Sequence, residues 1–273
     1  MQRKPHRQLL LAVVIAALAA GAGCDKLRAR DKLNKGVQAF KAAQFDTAVE
    51  DFKQAKALDP TLTNARLYLA TAYANQYIPG APSEENVRMG QQAIAEFQEV
   101  LDKDPDNLPA IDGIGSILYN MGGTPFDPKK FEESKSFHER HIKIKPDDPE
   151  PYYWVGVIDW SLAFRGNKDM REAYNKTAKK TIKDTDPMPP ALATQFQQKF
   201  GPVIDEGIEY LQKATQVRTD YDDAMAYLNL LYRQKADTEL TATAHDADNK
   251  LADDLVDKVK AIKQKRMENA PTT

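Results

Sequence analysis

One pattern of small, aromatic and proline residues recurs along this chain and constrains its fold more than any other feature. The first copy has small residues at Gly36 and Ala48 and ends at Pro60. Similar copies end at Pro105 and Pro146, so the closing prolines stand 45 and then 41 residues apart. A pattern that returns at such intervals indicates one structural unit used several times.

The repeated segment resembles a tetratricopeptide repeat, a helix–turn–helix unit of about 34 residues with small residues where its helices touch. The resemblance implies an all-α helical array (an α-solenoid) of about four to five units over residues 30–265. Such an array needs a C-terminal capping helix, because its last repeat would otherwise expose an apolar face. Apolar residues at helical spacing predict that helix: Leu251, Leu255, Val259 and Ile262.

Several units exceed about 34 residues, and the excess lies between their two helices. Prolines and glycines predict loops in the second and third units, at 78–86 and 122–128. The largest insertion, at 163–202, falls in the fourth unit, and its charged first part is helical by composition. The prolines of 186–190 predict a break in the chain, and Gly201-Pro202 predicts a kink or break.

The N-terminal segment carries a second pattern. Residues 1–23 have basic residues, then a short apolar run and small residues just before Cys24, the only cysteine. This resembles a bacterial lipoprotein signal peptide. The resemblance implies that the signal is removed and that Cys24 carries acyl chains such as palmitate. The alternative is ordinary secretion with an unmodified thiol.

A lipid on Cys24 would place the protein on a membrane of the bacterial cell envelope, with its body in the periplasm. Two or more acyl chains anchor a protein stably. The sequence leaves the choice between inner and outer membrane open. It predicts a lipidated tether at 24–29 and a disordered tail at 266–273.

Composition and motifs argue against several function classes. The formal charge is −2, and removal of Arg3, Lys4 and Arg7 with the signal brings it near −5, which favours no nucleic-acid partner. His138 and His141 share a helix face, but no further ligand is near in sequence, so neither a metal nor another cofactor is predicted. No phosphate-binding loop or hydrolase motif occurs, so an enzyme is the third alternative.

The family resemblance places the first helix of each repeat along a concave groove, where a protein or peptide partner would bind. The candidate groove residues are Lys41, Asn75, Tyr119, Asn120, Tyr153, Trp160 and Arg233. The three aromatic residues bury large area at low entropic cost, as binding hot spots do, and are expected to form one strip. The alternative is that the 163–202 insertion covers them.

Two functions compete on this sequence. The first is a lipid-anchored envelope adaptor that binds a protein or peptide through its repeats. The second is a structural subunit of an envelope assembly machine, of the outer-membrane or pilus biogenesis type. The structural subunit differs from the adaptor in that it would reside in one complex at a fixed stoichiometry.

Overall fold

The computed structural model of the protein describes residues 24–184 and 186–269. Throughout these residues the regular secondary structure is helical. They divide into two compact units, 24–125 and 126–269. The predicted signal segment lies outside the described residues.

The first unit contains five helices. They are α1 (24–41), α2 (Phe45–Leu58), α3 (Thr63–Gln76), α4 (Glu84–Leu101) and α5 (Leu108–Gly123). The predicted helix pair at the start of the chain is confirmed, but α1 already includes residues 24–29. The segment predicted to be a lipidated tether is therefore helical, and its last residue, Ala29, is fully buried. Its lipidation stays a prediction.

The helices of the first unit touch at the small residues that define the repeat. A methyl group added at Gly36 would lie 2.5 Å from Cε1 of Phe52, so α1 and α2 approach closely there. Ala48 and Phe52 are fully buried. The loop before α4 is closed by Asn86, whose Oδ1 accepts from the Ile78 N–H at 2.6 Å and whose Nδ2 donates to the Ile78 carbonyl at 2.9 Å.

The second unit also contains five helices. They are α6 (Pro128–Ile144), α7 (Pro149–Thr177), α8 (Pro190–Val217), α9 (Asp222–Ala236) and α10 (Ala242–Glu268). Two of them begin at a proline that follows an aspartate cap. Asp127 Oδ1 accepts from the Lys129 N–H and Asp148 Oδ1 from the Glu150 N–H, each at 3.1 Å. These caps satisfy backbone donors that a helix leaves unpaired at its start.

The insertion in the fourth helix–turn–helix repeat lengthens both helices of that repeat. With 29 residues in α7 and 28 in α8, these helices extend well beyond the usual repeat length and pack against each other. The prolines of 186–190 end the non-helical connection, as predicted, but α8 runs through Pro202 without a break. A proline inside a helix costs about 3 kcal/mol. Buried Phe196 and Ile204, on either side of it, supply packing that offsets this cost.

The last helix closes the second unit, which confirms the predicted capping helix. Ala252 and Leu255 are buried, and Asn229 of α9 donates to the Ala252 carbonyl at 2.5 Å. The helix includes residues 266–268, where Nη1 of Arg266 lies 2.8 Å from Oδ1 of Asp222. This part of the predicted tail is therefore ordered, and residues 270–273 lie outside the described chain.

The contact between α7 and α8 can be tested at Gly156. A Cβ at this position would lie 2.3 Å from Cγ of Leu211, a fully buried side chain. We therefore expect Gly156→Ala to destabilise the protein by about 1–3 kcal/mol, although alanine favours a helix. Thermal unfolding followed by circular dichroism would measure this loss.

The matched control is Gly123→Ala at the end of α5, where an added Cβ meets no atom within 4 Å. We expect its melting temperature to stay close to that of the unmodified protein. Equal melting temperatures for Gly156→Ala and Gly123→Ala would contradict the close approach of α7 and α8.

Candidate binding pocket

A surface pocket of about 200 Å³ lies between α7 and α9 in the second unit. Its α7 side has four residues at the spacing of one helix face: Trp160, Phe164, Asn167 and Lys168. Its α9 side has another such row: Leu230, Arg233, Gln234 and Asp237. Asp184, from the connection between α7 and α8, completes the lining of this α7–α9 pocket.

A row of aromatic rings leads into the pocket. Trp160 stacks on Phe164 with ring centroids 5.2 Å apart and meets the edge of Tyr227 at the same distance. Tyr227 also contacts Tyr153, with centroids 5.7 Å apart. Two of the predicted groove residues, Tyr153 and Trp160, therefore lie against one residue of α9. The row ends at Phe164, which is 52% exposed and offers an apolar surface to a ligand.

Arg233, the third predicted groove residue of this unit, links the pocket to the capping helix. Its Nη2 donates to Oδ1 of Asp253 at 2.7 Å, and its Nε lies 3.4 Å from Oδ1 of Asn229. The ion pair is exposed at the surface, where such pairs contribute little to stability. The ion pair instead fixes the orientation of the Arg233 guanidinium relative to α9.

Gln234 is the unusual residue of the pocket. Only 8% of its surface is exposed, and neither its amide nitrogen nor its amide oxygen has a hydrogen-bond partner. A buried polar group without a partner typically costs about 1–3 kcal/mol. An unpaired buried group of this kind requires an explanation, such as a ligand that would pair with it.

Two side chains of α7 hold the connection that carries Asp184. Nη1 of Arg171 donates to the carbonyls of Lys183 and Asp186 at 2.9 and 2.8 Å. Asn175 pairs with both backbone groups of Ile182, each at 2.8 Å. These bonds attach the connection to α7, and the connection therefore forms a wall of the pocket.

The insertion does not cover Trp160 completely. Phe164 and Asp184 belong to the insertion, and both line the pocket in which Trp160 is still partly exposed. Trp160 is thus partly buried beside residues of the insertion, and the choice between the two expectations for this strip stays open.

Asp237 is an acidic residue of the pocket whose pKa is perturbed by burial. Burial raises the pKa of Asp237, and the attraction of Arg171, His245 and Arg233 opposes that rise. Lys168 and Arg233 balance Asp184 and Asp237 in charge, so the lining as a whole is close to neutral.

The other predicted groove residues belong to the first unit. Lys41 and Asn75 are exposed, and Tyr119 and Asn120 are partly buried on α5. Nδ2 of Asn75 donates to the Thr71 carbonyl at 2.8 Å, so part of its hydrogen-bonding capacity is used within α3. A single strip joining Tyr119 to Tyr153 and Trp160 stays a prediction.

A cluster of charged side chains joins three helices of the second unit. Nζ of Lys135 on α6 is 2.8 Å from Oδ1 of Asp159 on α7 and 2.6 Å from Oε2 of Glu206 on α8. Burial raises the pKa of Asp159, against the attraction of Lys135. Gly207 makes room for this carboxylate, since a Cβ there would lie 2.9 Å from Cβ of Asp159. The cluster therefore links α6, α7 and α8.

The two histidines on α6 are core residues. His138 is 1% exposed and stacks on Trp154 with centroids 5.8 Å apart. Burial and the neighbouring His141 lower the pKa of His138 to about 4, so it is neutral at physiological pH. Within residues 24–184 and 186–269, no group of three or more histidine, cysteine or acidic side chains is placed to hold a metal ion.

Sequence reasoning did not find Phe164 or Gln234. Phe164 follows Trp160 by four residues and Gln234 follows Leu230 by four, so helical spacing could have placed each beside a predicted groove residue. The lack of a partner for Gln234 leaves no trace in the sequence.

Comparison with known proteins supports the fold. No family model matches the chain. MamA from Desulfovibrio magneticus RS-1, from residue 41 to its end, superposes with a TM-score of 0.58 at 16% identity, over 89% of this chain and 98% of that one. Another crystal structure of MamA gives a TM-score of 0.57 at 14% identity, over 90% and 97%.

The fold is a tetratricopeptide-like helical repeat. At these identities the likeness concerns the fold alone. Among curated proteins, the Protein CTR9 homolog of Arabidopsis thaliana is 24% identical over 164 residues. That match spans 56% of this chain and 14% of the plant protein's length. None of the helices in the described part of the chain is long and apolar enough to cross a membrane.

Proposed function

We propose that this protein is a lipid-anchored adaptor of the bacterial cell envelope that binds a protein or peptide through the α7–α9 pocket. The observation that carries the binding role is an aromatic row that ends in a half-exposed ring beside an unpartnered buried amide. Exposed aromatic surface next to polar groups is typical of binding hot spots. Repeat folds of this type commonly serve as binding surfaces, and no catalytic constellation is needed for that role.

The anchoring role is supported by Cys24. This residue is exposed in the structure and stands at the start of the described chain, directly after the signal-like segment. An acyl group on its sulfur would therefore meet no packed neighbour that it must displace. The body of the protein would then be tethered through α1 to the membrane surface.

The binding role is tested at Phe164. Because this ring is half exposed, Phe164→Ala should change the melting temperature little, whereas Trp160→Ala would also remove packing against Tyr227. We expect Phe164→Ala to weaken partner capture by about 2 kcal/mol, which is about thirtyfold. Affinity purification from detergent-solubilised membranes, with quantitative mass spectrometry, would measure the loss.

The matched control is Leu240→Ala, which truncates a side chain that is 57% exposed in the same unit but outside the pocket. Partners that depend on the pocket should be recovered equally by Leu240→Ala and the unmodified protein. If Phe164→Ala recovers the same partners in the same amounts, the pocket is not the binding site. A partner recovered in fixed stoichiometry with each preparation would favour the structural-subunit alternative.

The anchoring role is tested at Cys24. Because two or more acyl chains hold a protein stably on a bilayer, Cys24→Ser should move the mature protein from the membrane pellet to the soluble envelope fraction. It should also abolish labelling of the protein by radioactive palmitate. A Cys24→Ser protein that still pellets with membranes after a high-salt wash would refute lipid anchoring, because salt screens the alternative electrostatic attachment.

A further inference from the structure

We propose that the α7–α9 pocket binds one residue of an extended peptide, whose backbone N–H and C=O pair with the side-chain amide of Gln234. The apolar side chain of that residue packs against Phe164 and Leu230. This assignment rests on the proposed function and specifies the chemistry of the ligand.

The side-chain amide of Gln234 has a donor and an acceptor side by side, and neither has a hydrogen-bond partner within the protein. In an extended peptide, the N–H and C=O of one residue point to the same edge and can pair with one neighbour at both positions. A peptide therefore matches both unpaired groups at once, whereas a carboxylate, phosphate or ammonium ligand matches only one.

Apolar surface lines the same pocket as this amide. Phe164 is 52% and Leu230 37% exposed, and both line the pocket with Gln234. They lie on different helices, α7 and α9, so a side chain inserted between them would be contacted from two directions. Burial of these surfaces by the apolar side chain of the peptide would contribute favourably to the binding free energy.

The charges of the pocket lining are balanced. The lining has two basic residues and two acidic ones, and Arg233 is already paired with Asp253. A ligand therefore gains little from a net charge of either sign. A neutral peptide segment with an apolar residue fits this balance better than a strongly acidic or basic one.

Access to the amide requires a small movement. The polar atoms of Gln234 have almost no solvent contact, so a ligand reaches them only after a rim side chain turns aside. Among the lining residues Phe164 is 52% exposed, so a change in its rotamer would remove little buried apolar area. The ring then packs against the ligand.

The test uses N-acetyl-L-phenylalanine N-methylamide as the probe, with the full-length protein in a Trp154→Phe background. Trp160 is then the only tryptophan and reports binding by its fluorescence. A probe this small should bind with a dissociation constant on the order of 1 mM. The variant Gln234→Met keeps the size of the side chain but removes its donor and acceptor, and it should weaken binding at least about tenfold.

An analogue with phenyllactate in place of phenylalanine replaces the probe's central N–H by an ester oxygen. It should bind the unmodified pocket about tenfold more weakly than the amide, yet bind Gln234→Met as weakly as the amide does. Together the two ligands and the two proteins form a double-mutant cycle, which isolates the free energy of pairing between the Gln234 amide and the central N–H of the probe. Equal binding of probe and analogue, unchanged affinity in Gln234→Met, or no binding of the probe at all would each overturn the assignment.

Stability gives an independent readout. Removing an unpartnered buried amide should raise the melting temperature of Gln234→Met by about 2–6 °C. The matched control is Gln197→Met, which loses a 2.8 Å hydrogen bond to the Thr238 carbonyl and should melt lower. A lower melting temperature for Gln234→Met would show that its amide is already satisfied, and would overturn the assignment. If Phe164→Ala loses the membrane partner while Gln234→Met keeps it, the proposed function stands and this assignment fails.

Discussion

The close approach of α7 and α8 is the constraint on which the second unit depends. Three glycines permit it. An added Cβ would meet Leu211 at Gly156, Phe200 at Gly166, and both Asp159 and Leu231 at Gly207, at distances of 2.1–2.9 Å. Side chains at these positions would separate the helices, because a packed interior absorbs even one methyl group poorly. With the glycines, two helices of nearly equal length pack against each other, and this packing carries α8 through Pro202.

The position of the pocket follows from this helical pair. The extension of α7 places Phe164 beyond Trp160, and the return connection brings Asp184 to the same side. Arg171 and Asn175 hold that connection by bonds to its backbone, so its wall is fixed by the same helix that carries the aromatic row. The α9 side completes the lining with Gln234, whose unpaired amide lowers stability. Unsatisfied polar groups of this kind are often found where a protein binds something.

Much of the fold could be predicted from the sequence because repeats impose local rules. Gly36 and Ala48 lie at helix contacts where the repeat pattern placed them, and the capping helix appears where apolar spacing predicted it. The passage of α8 through Pro202 was not predictable, because a local rule favours a break and only tertiary packing overrides it. The cluster of Lys135, Asp159 and Glu206 joins residues up to 71 positions apart, and no local pattern reveals it. For the same reason the sequence could name Trp160 and Arg233 as candidates but could not reveal that the Gln234 amide has no partner.

The central claim is that the α7–α9 pocket holds a protein partner in the cell. Site-specific photo-crosslinking tests it most directly, with p-benzoylphenylalanine introduced at Phe164 or, as control, at Leu240, two exposed positions of the same unit. The account predicts a discrete crosslinked species in the membrane fraction from position 164 and none from position 240. No adduct from position 164, or the same adducts from both positions, would contradict it.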